Sequence, residues 1–349
     1  MVVVSHALIP GLGGMIGVTL FFVLSGFLIT HLLLDEDKTN GGINLKAFYG
    51  RRALRLLPAL LFYLAGIAVV IWAMDLAVPI WETTWPVLVY IANYVQIAGV
   101  DLFANRHTWS LAVEEHFYLV WPFLVVLGAT KRVRPLVGAL LLLIGWRLVV
   151  GYFNPTWAYM ATDTNAFAVG LGCLLAVLRH NAVSFRLPSR TPLVSIVILL
   201  FLGFIPFDDI DVIYRLGVWI PILAAGLSGA AVWASIDTNP SFLRTRLLSW
   251  FGLISYALYL WHAPLLQLPG LGTTLPSRVL AIGVGILMAW ISWRLIERPI
   301  LRSRWRRRLD VRRLSVSDGT ALVEPGQELA KTNADEPNTR TGPRGSTNV

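Results

Sequence analysis

Residues 107–127 read HTWSLAVEEHFYLVWPFLVVL. A histidine, a serine and two adjacent acids lead directly into an apolar run of the kind that crosses a bilayer. Ionisable groups at the mouth of a membrane helix are costly unless they are paired or used, so this stretch fixes both the solvent of the protein and the first place to look for chemistry. The rest of the chain agrees. Of 349 residues, 56% are apolar and 14% charged, and the mean hydropathy is +0.65. Apolar windows recur near 14–34, 53–74, 110–129, 135–153, 164–178, 192–206, 215–234, 247–266 and 276–297. About 20 residues of helix cross some 30 Å of hydrocarbon. In lipid only helices or closed barrels satisfy every backbone group, and these runs are too long and continuous for barrel strands. The expectation is an all-α, polytopic transmembrane bundle in the cell membrane.

Loop charges orient it. A further apolar stretch, 84–97, would put Lys131, Arg132 and Arg134 on the opposite side from Lys46, Arg51 and Arg52 if it crossed fully, against the positive-inside rule. Read as re-entrant or surface-lying, it leaves 35–52, 130–134, 179–190, 244–246 and the carboxyl-terminal tail on the cytoplasmic side. Asp208, Asp209 and Asp211 then fall outside. The net charge of +9 resides in these flanks and the tail, so it reads as topology and not as nucleic-acid binding. Two domains are expected: a membrane domain over 1–301, and over 302–349 a basic anchor for anionic lipid followed by a polar, disordered tail. The nine residues before Pro10 make about half a crossing, so the expected bundle has about ten helices with the first truncated. The amino terminus lacks the basic start of a cleavable signal. The one cysteine, Cys173, forms no internal disulfide and lies among small residues suited to a helix contact.

Helical spacing puts Ser110, Glu114 and Tyr118 on one face, with His107 a turn earlier, whereas Glu115 shares a stripe with Leu111, Leu119 and Pro122. Neighbouring carboxylates that point in different directions should do different work. The plain alternative is that both acids complement the helix dipole. His6 is either a packing residue or a general base, since an imidazole near neutrality can take a proton from a hydroxyl. Arg51 and Arg55 lie one turn apart in FYGRRALR and could hold phosphates bidentately or simply anchor the topology. Arg147 falls mid-span and needs a partner or a wet cavity. Asp163 sits at the end of a span, His262 in a tyrosine- and tryptophan-rich belt, and Glu297 between Arg294 and Arg298 as a helix-end ion pair.

Six stretches in order resemble the acyltransferase-3 family of integral-membrane O-acyltransferases: GVTLFFVLSGFLITHLLL, FYGRRALRLLPALL, HTWSLAVEEHFYLVWP, TDTNAFAVGLGCLLA, ISYALYLWHAPLL and SWRLIERPIL. The resemblance implies ten membrane helices with both ends cytoplasmic. It also implies transfer of an acyl group, commonly acetyl, from acyl-CoA to a hydroxyl of a glycan, lipid-linked sugar or small metabolite. Acyl-CoA would be a co-substrate, with no resident cofactor and no metal. It places catalysis on His6 and Glu114 and the acyl-CoA phosphates on Arg51, Arg52 and Arg55. His107, Ser110, Glu115, Arg147, Asp163 and His262 are candidate supporting residues. The chain departs from the family pattern at His116, where glutamine is common, at Asn165, where an arginine often stands, and in having no arginine-bearing segment before His6. A transporter or flippase using Arg147, Asp163 and His262, or an inactive truncated homologue, are the competing expectations.

Overall fold

The computed structural model describes residues 2–7, 11–183, 185–205 and 210–303, without the side chains of Val4, His6 and 210–214. Asp208, Asp209, the Asp211 side chain and the tail beyond 303 therefore lie outside the described residues. Those described contain no β-strand. In chain order the helices are α1 (Val2–Ala7), α2 (Gly13–Asn40), α3 (Leu45–Ala73), α4 (Ile80–Leu88), α5 (Ala92–Ile97), α6 (Trp109–Val126), α7 (Val133–Phe153), α8 (Pro155–Met160), α9 (Thr162–His180), α10 (Thr191–Gly203), α11 (Ile210–Thr238), α12 (Arg246–Leu265), α13 (Leu275–Ser292) and α14 (Arg298–Leu301). A π-helical turn, Trp293–Glu297, joins the last two.

Local sequence sets the boundaries. The α2 helix stops at Gly41, which takes a left-handed φ of 67° and donates its N–H back to Asp37. Asn44 then caps α3 by accepting the Ala47 N–H at 2.9 Å. The stretch expected to be re-entrant is broken into α4 and α5, of 9 and 6 residues. Each is far too short to cross a membrane, and Tyr90 between them has a φ of +59°.

Among the described residues six segments are long and apolar enough to span: Gly13–Asn40, Leu45–Ala73, Val133–Phe153, Pro155–His180, Arg215–Thr238 and Leu275–Leu301. Sequence windows over α6, α10 and α12 also suggested crossings. The α10 helix closes after 13 residues, while Glu114 and Glu115 in α6 and the tyrosines, tryptophans and His262 of α12 dilute the apolarity of those two. Leu141, Leu142, Val149 and Phe153 stand exposed along α7, as expected of a surface solvated by acyl chains. This is a polytopic membrane protein.

Acyl chains are as apolar as leucine, so helices in lipid associate by close packing and hydrogen bonding. The α2 and α9 helices show how. A Cβ on Gly26 would collide with the Val169 carbonyl, and one on Gly172 with the Val23 carbonyl. These two glycines let the backbones touch. One core gathers Phe22, Val23, Val113, Trp121, Phe167 and Val169 around this pair. A second gathers Leu60, Tyr63, Ile67, Leu111, Leu260 and Trp261 between α3 and α12. The α6 helix contributes Val113 to the first and Leu111 to the second, so its polar residues sit on the seam.

Candidate functional site

Glu114 is 5% exposed and lies where α2, α3 and α6 meet. Its Oε1 accepts hydrogen bonds from Ser25 Oγ of α2 and from the Tyr118 hydroxyl one turn further along α6. Arg52 of α3 brings Nη2 to 3.8 Å from the same oxygen and lays its guanidinium over the Tyr118 ring, 3.3 Å from the centroid. The same guanidinium holds Glu115, with Nε at 3.2 Å from Oε2 and Nη2 on Oε1. The adjacent acids thus point in different directions and meet one cation. Ser110, expected on the Glu114 stripe, turns instead toward α12 and donates to the Tyr259 hydroxyl at 2.8 Å.

The other two arginines of FYGRRALR also face acids. Arg51 Nη2 is 3.0 Å from Glu36 Oε2, and Glu36 accepts the Asn44 N–H at 3.1 Å while only 2% exposed. Arg55 is exposed and lies within charge reach of Glu297, whose Oε1 accepts from Ser292 Oγ at 3.2 Å. Glu297 is buried against α3, where its flanking arginines suggested a helix-end ion pair; Arg298 stacks on Trp293. Sequence reading missed Glu36 because DEDK at a helix end looks like solvated charge. Its one signal was its position three residues after the buried Leu33.

At the opposite end of α2 and α3 a cleft of about 730 Å³ opens, lined in part by Val2, Asp101, Arg106, His107, Trp109, Tyr159 and Tyr259. His107 is 7% exposed. Its ring stands edge-on to Tyr63, Tyr259 and His262, with centroids 6.1, 5.2 and 5.4 Å away. The Tyr259 hydroxyl donates to the His107 carbonyl at 2.5 Å. Hydrogen bonding to the Tyr259 carbonyl at 2.7 Å requires His262 Nδ1 to carry a proton. Tyr259 and His262 therefore serve the wall of the cleft, beyond the interfacial belt expected of them. At the rim Asp101 and Arg106 form an exposed ion pair; the Arg106 hydrogen bond holds the Asp101 carboxyl below its ordinary pKa.

Val2 on the cleft wall means that α1, the helix bearing His6, borders this space. The His6 side chain itself lies outside the described residues. Asp163 sits elsewhere, accepting from the indole N–H groups of Trp146 at 2.6 Å and Trp157 at 3.1 Å. Arg147 is wholly buried behind the α8 wall. Arg147, Asp163 and His262 each bond to a different set of partners, respectively carbonyls of α8, α9 and α11, the two indoles and the Tyr259 carbonyl. Among the described residues no three His, Cys, Asp or Glu side chains gather as a metal-binding group.

A family model described as an acyltransferase domain matches residues 1–297. The chain belongs to the acyltransferase-3 family of integral-membrane O-acyltransferases. It is 33% identical over 329 residues to a protein of Listeria monocytogenes named peptidoglycan O-acetyltransferase OatA, covering 83% of this chain and 52% of that one. It is 32% identical over 324 residues to the O-acetyltransferase OatA of Staphylococcus aureus, covering 82% and 53%. The chain thus spans about half the length of these curated relatives. No solved structure matches it.

Proposed function

We propose that this chain is a membrane O-acyltransferase that moves an acetyl group from acetyl-CoA to a hydroxyl of a cell-envelope glycan. The observation that carries the reading is the cleft at the head of α6, the helix that bears Glu114. A space of about 730 Å³ is bordered by the helix of His6 and by His107, and α6 runs from its edge through Ser110 to the Glu114 centre. Family membership supports acyl transfer, and the named activity of the relatives supports acetyl as the group and peptidoglycan as the model acceptor.

In this proposal ten helices cross the cytoplasmic membrane, the 84–97 stretch is re-entrant or surface-lying, and the carboxyl terminus is cytoplasmic. The donor enters from the Arg51 end. Arg51 offers it a buried amino group, Nη1, that makes no hydrogen bond among the described residues, and Arg55 offers an exposed guanidinium. Arg52 is already held by two carboxylates, so a donor phosphate reaches it only in exchange with Glu115. His6 takes the proton of the acceptor hydroxyl, and the resulting oxygen attacks the thioester carbonyl. The C–S bond breaks, and the CoA thiolate leaves and recovers the proton from the imidazolium. Glu114 balances the charge of that imidazolium. Proton transfer of this kind contributes about a hundred- to ten-thousand-fold to rate.

The test uses the purified protein with acetyl-labelled acetyl-CoA and a soluble peptidoglycan fragment. Label should appear as a base-labile ester on the glycan. Absence of transfer, with movement of an unmodified solute across liposomes, would replace the enzyme with the transporter reading.

A further inference from the structure

Arg147 is 0% exposed, and its described partners are all neutral. Nε donates to the Val218 carbonyl at 3.0 Å. Nη1 donates to the carbonyls of Ala158 and Thr164 at 2.8 and 2.9 Å and to Asn165 Oδ1 at 3.2 Å, and Nη2 to the Gly217 carbonyl. A cation buried in an apolar bundle persists only where its donors are satisfied.

Two of these carbonyls have lost their ordinary donor. Gly217 stands four residues before Pro221, inside α11, and proline has no N–H to return to it. Ala158 is in the last turn of α8, where no intrahelical donor follows. Arg147 fills both deficits from a third helix. Gly151, one turn further along α7, permits the approach: a Cβ there would lie 2.6 Å from the Val218 methyl groups.

The end of α8 is tied down throughout. Thr164 Oγ1 donates to the Trp157 carbonyl at 3.1 Å and Asn165 Nδ2 to the Tyr159 carbonyl at 3.0 Å, on either side of the bond from Arg147 to Ala158. Arg147 and Thr164 also hold the Asn165 side chain and Trp157 in place as one set. This short helix is a wall of the cleft, presenting Thr156, Tyr159 and Met160, with the Tyr159 ring centroid 5.0 Å from that of Trp109.

We propose that Arg147 is a positioning residue for the acceptor side of the cleft: by bracing α8 against α9 and α11 it sets how well an acceptor binds, without touching the reacting atoms. This rests on the acyl-transfer reading above. Arg147→Lys keeps the charge but offers its donors from a single nitrogen, which cannot span carbonyls on three helices. It should raise the KM for the peptidoglycan fragment roughly tenfold, the equivalent of losing one or two hydrogen bonds, and leave kcat within about a factor of two. In Arg147→Met, amides of residues 156–161 should exchange faster with solvent. Adding Pro221→Ala returns an N–H to Gly217, so the double variant should regain folded yield but not the wild-type KM. If Arg147→Met does not fold, Arg147→Lys carries both measurements.

An unchanged acceptor KM in folded Arg147→Lys overturns the proposal, as does a fall in kcat at constant KM. Should the wild-type protein transfer no acetyl group, the functional reading fails on its own. Amide exchange then decides the brace alone, and unaltered protection of residues 156–161 sinks it.

Discussion

Arg52 is half-buried and Arg147 fully buried in an apolar bundle, and they are held in opposite ways. Arg52 faces two carboxylates and an aromatic ring. Arg147 faces carbonyls and one amide oxygen. Carboxylates are charged partners that an incoming anion can replace, so the Arg52 centre can change state during a reaction. Backbone carbonyls cannot leave, and a guanidinium bound to five of these neutral acceptors has nothing to exchange. Burial of an arginine therefore does not by itself mark chemistry in a membrane protein; the nature of its partners does.

The largest expected effect separates the two regions by activity. Glu114→Gln and His6→Ala should each lower acetyl transfer by about a hundred- to ten-thousand-fold while membrane insertion, read by protease protection, stays intact. Wild-type turnover in either variant would remove that residue from its role. Next is the stability of the ionic centre. Arg52→Met leaves the buried Glu114 and the half-buried Glu115 without their cation and should cost about 3–5 kcal/mol in equilibrium unfolding in mixed micelles. The double variant Arg52→Met/Glu115→Gln should recover much of that loss. If it does not, Arg52 resembles Arg147 in being held by shape more than by charge.

A smaller effect tests the carbonyl side of the comparison. Pro122 leaves the Tyr118 carbonyl of α6 without a helical donor, and the Tyr49 hydroxyl donates there at 3.3 Å and to Leu119 at 2.9 Å. Tyr49→Phe should cost about 1 kcal/mol. The smallest effect lies at the exposed rim. Because Arg106 lowers the Asp101 pKa in the folded state, the pair stabilises above the unfolded carboxyl pKa and loses that contribution as pH falls through the folded value. Asp101→Asn should leave unfolding at neutral pH unchanged within error, since exposed pairs contribute little.

Much of this was legible in the chain. Helical spacing brought Glu114 and Tyr118 together and sent Glu115 elsewhere, and each of these directions recurs in the fold. The need of Arg147 for a partner was legible too, but its identity was not. Nothing local to WRLVV on α7 announces that Pro221, on a helix some seventy residues away, strips Gly217 of its donor. The same limit hid the acids facing Arg51 and Arg55. Glu36 and Glu297 lie in charge-rich helix ends where exposure and burial share one spelling. Ser110 left its stripe because Tyr259 of α12 competes for its hydroxyl.

By itself the sequence determined the solvent, the helical class and the family, because hydrocarbon thickness and the cost of bare backbone polar groups act on every residue of a span alike. Which polar group meets which was decided only in the tertiary structure. Hydrogen bonds reach about 3 Å, and the partners that close those distances come from helices far apart in the chain.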